Sequence, residues 1–285
     1  MRVVLAVLFL CRVFAQTAVQ EAAAGNTSPA TPEKPALQNL GKPMLVDFAC
    51  SLDDIQSAGL GCMPDDPCPV YLELASVEAV GNRIFLAGNI HASAATLYSI
   101  LLSSDDGGKS WREPYERVKA AGLDHIQFVD FENGWISGET LHPLPRDPFL
   151  LATNDGGKVW TAHPVFSEPR FGSISQFWFT SRSTGKLLVD RGESGESGRY
   201  ELYETPNAGA TWMLKEVNER PVGFRSAGIA VNIDWRIRAD RASKSFQIER
   251  QSGDRWHSVA GFLVALKPCT PPAQPPAPQE APAPN

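Results

Sequence analysis

Four tryptophans, Trp111, Trp160, Trp212 and Trp256, each close a copy of one short frame, and this recurrence restricts the fold more than any other feature of the chain. The copies read "SDDGGKSW" (104–111), "TNDGGKVW" (153–160), "TPNAGATW" (205–212) and a worn "RQSGDRW" (250–256). Counted from Ser104, the pattern is Ser/Thr, any residue, Asp/Asn, any residue, Gly, any residue, Ser/Thr/Val, Trp. The tryptophans stand 49, 52 and 44 residues apart, the length of one four-stranded blade of a β-propeller. A catalytic loop occurs once, whereas a loop present in every repeat belongs to the scaffold.

The residue types suit a tight turn between two strands. The carboxylates of Asp106 and Asp155 and the amide of Asn207 can accept backbone N–H groups inside the turn, and Gly108, Gly157 and Gly209 supply positive φ. Ser104, Thr153 and Thr205 add a hydroxyl, and the closing Trp carries apolar area into the gap between neighbouring sheets. Gly253 and Trp256 fill the corresponding places in the worn copy. Strand-like runs precede each frame: "LYSILLSS", "DPFLLAT", "RYELYET" and "KSFQIER". A further strand pair lies upstream in each repeat, as in "SVEAVGNRIFLAG", "HIQFVDFENGWISG", "ISQFWFTSRSTGKLLVD" and "AGIAVNIDWRIRAD". The expected fold is all-β: a small propeller of four-stranded blades, four favoured and five the alternative. The domain spans residues 41–269, with the strand near "PMLVDFAC" completing or covering the last blade.

With these motifs in view, the chain resembles the Asp-box, or bacterial neuraminidase repeat, propellers of sialidases and sortilin-type receptors. The context "IQFVDFENGWISGE…LLATNDGGKVW" is most similar to the photosystem II stability and assembly factor-like group. The resemblance covers about residues 70–266. It implies a fold rather than an activity, because Asp-boxes support propellers with unrelated roles.

The ends carry different information. "MRVVLAVLFLCRVFAQ" joins Arg2 to an apolar run from Val3 to Cys11 and a Val13-Phe14-Ala15 cleavage pattern. The run is about half the ~20 residues of a membrane span and reads as a secretory signal peptide cut after Ala15. Residues 16–40 and 270–285 are rich in Ala, Pro and Thr or in Pro and Ala, and read as disordered linker and tail. Cys50, Cys62, Cys68 and Cys269 form an even set in an oxidising compartment, which favours two disulfides. The favoured pairing joins Cys62 to Cys68 and Cys50 to Cys269. No C-x-x-C pair or nearby histidine supports zinc.

A formal net charge of −6 gives no basic surface for nucleic acid. A sialidase needs an arginine cluster for the substrate carboxylate, a tyrosine activated by a glutamate and an acidic proton donor. Arg170, Arg220 and Arg225 lie in inter-blade connections and carry no matching motif. His91, His125, His142, His163 and His257 are scattered. Asp53–Asp54 and Asp65–Asp66 are read as polar loops, solvated or, less favoured, calcium-binding. "DRGESGESGR" (190–199) is read as a flexible hairpin insertion. The reading therefore assigns no catalytic residue, cofactor or metal. It describes a secreted or periplasmic interaction or assembly module that is not an integral membrane protein. Its partner is another exported or membrane-associated protein; a sialidase-like hydrolase or carbohydrate-binding propeller is the alternative.

Overall fold

The computed structural model describes residues 35–141, 143–195, 197–223 and 234–272. The expected signal peptide, most of the linker, the inner part of the fourth repeat's strand pair and nearly all of the Pro/Ala tail lie outside them.

The chain folds as a small β-propeller whose antiparallel sheets follow one another in sequence. The first sheet contains β2 (Val70–Val80), β3 (Arg83–Ala92) and β4 (Thr96–Ser104), and β5 (Ser110–Trp111) lies beside β4 through the Ser103–Arg112 bridge. The second contains β6 (Ala121–Phe128), β7 (Gly134–Leu141), β8 (Pro145–Thr153) and β9 (Thr161–Pro164). In the third, β10 (Ser173–Phe179), β11 (Gly185–Asp190), β12 (Tyr200–Thr205) and β13 (Met213–Asn218) pair in sequence order. The fourth has β14 (Trp235–Asp240), β15 (Ser245–Ser252) and β16 (Arg255–Leu263) among the described residues.

Middle strands are apolar on both faces because a neighbouring sheet covers each side, so Phe85, Leu86 and Ala87 on β3 are all buried. A bulge recurs in the first strand of the first three sheets, between Leu74 and Ser76, Leu123 and Ile126, and Ile174 and Gln176. Such bulges bend and twist the strand. Opposite the first two stand Gly88 and Gly138, where a Cβ would meet the Glu73 carbonyl oxygen at 2.0 Å or the Gly122 carbonyl oxygen at 2.7 Å. This close approach explains the small residue that ends the strand pair.

Three buried clusters join the sheets. One packs Phe85 and Leu101 of the first sheet on Ile136 and Leu151 of the second; another packs Trp135 and Leu150 of the second on Phe179 and Leu187 of the third. Trp135 and Phe179 stack with ring centres 3.7 Å apart, and buried Gln127 exchanges two 2.8 Å hydrogen bonds with the Phe179 backbone. The remaining cluster unites the first and fourth sheets with Met44, Val46, Phe48 and Ile55 of the N-terminal segment.

That N-terminal segment departs from the expected linker. Leu37–Gln38 form β1, paired with Trp111–Ser110, so the folded region begins within residues 16–40. Met44 bridges Phe262, which lays "PMLVDFAC" along the last sheet instead of adding a fifth blade. Asp53 and Asp54, expected in a polar loop, lie in helix α1 (Leu52–Ser57). A capping box with Ser51 starts it, and Ile55 anchors it in the core. The chain beyond β16 pairs with the start of β2, and disulfides join Cys50 to Cys269 and Cys62 to Cys68.

Candidate functional site

The repeated turns are structural in their geometry. In the first, the Ser104 hydroxyl donates to Asp106 and accepts from Gly108 N–H, both at 2.8 Å, while Asp106 Oδ1 accepts from Lys109 and Ser110 N–H at 2.9 Å. Thr153, Asp155 and Gly157 repeat this network, as do Thr205, Asn207 and Gly209. Gly108, Gly157 and Gly209 all have positive φ. Trp111 and Trp160 are buried and donate to the carbonyls of Gly108 and Gly157. The Ser110 hydroxyl, followed by the backbone donors and Ser104, outweighs burial and holds the Asp106 carboxyl down at about 2.

The later copies depart from this arrangement. Trp212 is half-buried, and its Nε1 has no hydrogen-bond partner among the described residues. In the fourth copy Ser252 pairs directly with Arg255 across a two-residue turn. Glu249 occupies the place of the Ser/Thr hydroxyl and is bound instead by Arg236 and Arg238. Trp256 lies under the Arg236 guanidinium at 4.0 Å rather than being carried into an inter-sheet gap. With Glu249 in place of the Ser/Thr hydroxyl and Gln251 in place of Asp/Asn, its amide donating instead to the Gly253 carbonyl, the turn network does not form.

A different group of residues gathers where the second sheet passes to the third. The 145–147 hairpin pairs with 170–171 through Asp147 N–H to the Arg170 carbonyl and Gly172 N–H to the Pro145 carbonyl. Phe166 of the same connection packs edge-on against Tyr203 of β12, with ring centres 5.6 Å apart. Two guanidinium groups lie over Phe166, Arg170 at 4.9 Å and Arg191 at 5.6 Å. Arg191 lies near the start of the 190–199 segment expected to be a flexible insertion, yet it is only 9% exposed. The loop base is closed by Arg191 N–H to the Arg199 carbonyl and by the double hydrogen bond of Arg199 with Asp190.

Charge in this group is incompletely matched. Arg146 and Arg199 have carboxylate partners in Asp147 and Asp190. Arg191 Nε stands 3.8 Å from Glu201 Oε1, and both its Nε and Nη1 lack a hydrogen-bond partner among the described residues. Glu201 accepts the Tyr203 hydroxyl at 2.6 Å. Burial, followed by Glu201, pushes the Tyr203 phenol up, so the proton stays on the tyrosine. A buried donor left unmet costs about 1–3 kcal/mol, more when charged. Those two Arg191 atoms are closed off from solvent, so the guanidinium that an arriving carboxylate can reach is that of exposed Arg170. The sequence singled out Arg170. It did not reveal Arg191, Tyr203, Glu201 and Phe166, because only tertiary packing joins them. Arg220 is exposed beyond β13, and Arg225 lies outside the described residues.

A concavity of about 740 Å³ lies between α1, the 93–97 hairpin and Lys119. Its buried carboxylate, Asp54, is already served by Ser51, by the Tyr98 hydroxyl at 2.6 Å and by Lys119. Among the described residues, no group of three or more His, Cys, Asp or Glu side chains is arranged to hold a metal ion. No described helix is long and apolar enough to cross a membrane.

No family model matches the chain, and no curated protein matches it. Among solved structures, it is similar to YCF48 bound to D1 peptide, at 15% identity over 69% of this chain and 56% of that one, with a TM-score of 0.36. It is similar to YCF48 from Cyanidioschyzon merolae at 17% identity over 67% and 57%, with a TM-score of 0.35. The GH74 xyloglucanase from Xanthomonas campestris follows at 15% identity over 65% and 29%, with a TM-score of 0.33. The chain thus spans little more than half the length of the two YCF48 chains.

Proposed function

We propose that this chain is an exported, non-catalytic β-propeller that serves as a protein-interaction or assembly module, and that it receives an acidic segment of its partner at Arg170. The observation that carries this reading is the pair of guanidinium groups over the Phe166 ring, with Arg170 exposed above the buried Arg191. The hydroxyl, carboxylate and glycine network supports reading the three turns as Asp-boxes with a scaffold role. Two disulfides support an oxidising compartment, in keeping with a leader at residues 1–15.

Affinity capture after mild crosslinking tests the proposal, with wild-type protein and Arg170→Glu compared in the native envelope fraction. A stoichiometric partner present with wild type and depleted at least tenfold with R170E is expected. Recovery of the bare propeller, or equal capture by both, contradicts the reading. The Tyr203–Glu201 pair beside two arginines favours the sialidase-like alternative as a second reading. Turnover of a fluorogenic sialoside that disappears in Tyr203→Phe would establish it.

A further inference from the structure

The two disulfides lie side by side. Cys68 and Cys269 face each other as an antiparallel pair that exchanges both backbone hydrogen bonds, at 3.0 and 2.9 Å. Residues opposed in this way project to the same face of the ladder, with Cα atoms about 5.5 Å apart. That spacing is within the range a disulfide spans. Yet neither cysteine is bonded to the other: Cys269 holds Cys50, and Cys68 holds Cys62. All four pack into or against the same buried cluster. The bonds differ at one end: Cys269 is fully buried, whereas Cys50, Cys62 and Cys68 are half-buried, and Cys62 and Cys68 bracket a loop whose Met63, Pro64, Asp65 and Asp66 are exposed.

We propose that these four cysteines form a disulfide relay in which opening the outer bond transfers the inner one from Cys50 to Cys68. A small dithiol reduces Cys62–Cys68, giving two protein thiols and the oxidised cyclic disulfide of the reductant. The Cys68 thiolate then attacks Cys269 Sγ, the Cys68–Cys269 bond forms, the Cys50–Cys269 bond breaks, and Cys50 leaves as a thiolate that takes up a proton. The second step is electron-neutral, so one equivalent of dithiol accounts for the whole sequence. The product keeps the tail after β16 locked to the start of β2, where backbone pairing already holds them together. It cuts the covalent tie to the N-terminal segment, which carries α1 and so one wall of the 740 Å³ cleft. The relay is a redox-sensitive latch on that wall and is independent of the arginine site.

The test is graded reduction of the folded protein with dithiothreitol at mildly alkaline pH, with rapid alkylation and mapping of modified cysteines by mass spectrometry. The expected one-disulfide species carries label on Cys50 and Cys62 and retains Cys68–Cys269. A species labelled on Cys62 and Cys68 with Cys50–Cys269 intact overturns the proposal, as does loss of both bonds without a one-disulfide species. Cys62→Ser gives a second approach, because it leaves Cys68 as the resident thiol without any reductant. The free thiol should move to Cys50; a thiol that stays on Cys68 contradicts the relay. Should the variant fail to fold, the wild-type titration still decides.

Discussion

Asp106 and Glu139 titrate in opposite directions, and each gives the native state a different pH dependence. Asp106 is held at about 2, below its ordinary 3.8, so its stabilisation is complete above about pH 4 and disappears as pH falls towards 2. Acid unfolding of Asp106→Asn, followed by circular dichroism, should lose part of its steepness in that window. Burial, then the nearby Asp124 charge, pushes Glu139 of β7 up to about 7 from 4.5. The folded state therefore holds a proton that the unfolded chain has released, and stability declines as pH rises from about 4.5 to 7. Glu139→Gln, neutral throughout, should flatten that decline in denaturant titrations. An unchanged slope would show that Glu139 ionises freely.

The turns and strands differ in how far a local stretch of sequence determines them. The first three frames were legible because Ser/Thr, Asp/Asn and Gly act within eight residues, and the same bonds recur at Ser104, Thr153 and Thr205. The fourth was legible only as a worn repeat: Glu249 takes the hydroxyl position and its carboxylate is drawn to Arg236 and Arg238. Helix α1 was missed because six residues give no periodicity, and its capping box is visible only once Ser51 and Asp54 are known to begin a helix. Tryptophan substitutions separate these cases. Trp111→Ala removes a fully buried ring set edge-on against Phe262 and should cost about 3–5 kcal/mol by chemical denaturation. Trp256→Ala, losing mainly a surface cation–π contact, should cost about 1 kcal/mol or less. Equal losses would mean that the fourth turn carries as much inter-sheet packing as the first.

At the scale of the molecule, one sheet reaches into the turn of the next. Arg83 of the first sheet donates to the Gly156 and Phe131 carbonyls of the second, and Trp135 of the second donates to the Ala208 carbonyl of the third. At the first turn this part falls to Asn39, whose Nδ2 donates to both Gly108 and Val259 carbonyls at 2.8 Å and so ties the first sheet to the fourth. A segment that composition marks as linker thus contributes to joining the sheets. Asn39→Ala should cost about 1–2 kcal/mol in chemical denaturation, since two hydrogen bonds end on one side chain. The same dependence on assembly hid the arginine site, whose members come from a connection, a loop and β12. If that site receives an acidic partner segment, photo-crosslinks made to a captured partner with a non-selective diazirine reagent should place its contacts around 145–147, 165–171, Arg191 and Arg199. Mapping those crosslinks by mass spectrometry is the most direct measurement: contacts confined to this face are the predicted result. A partner crosslinked only at the repeated turns or the N-terminal segment would contradict the assignment of the binding face.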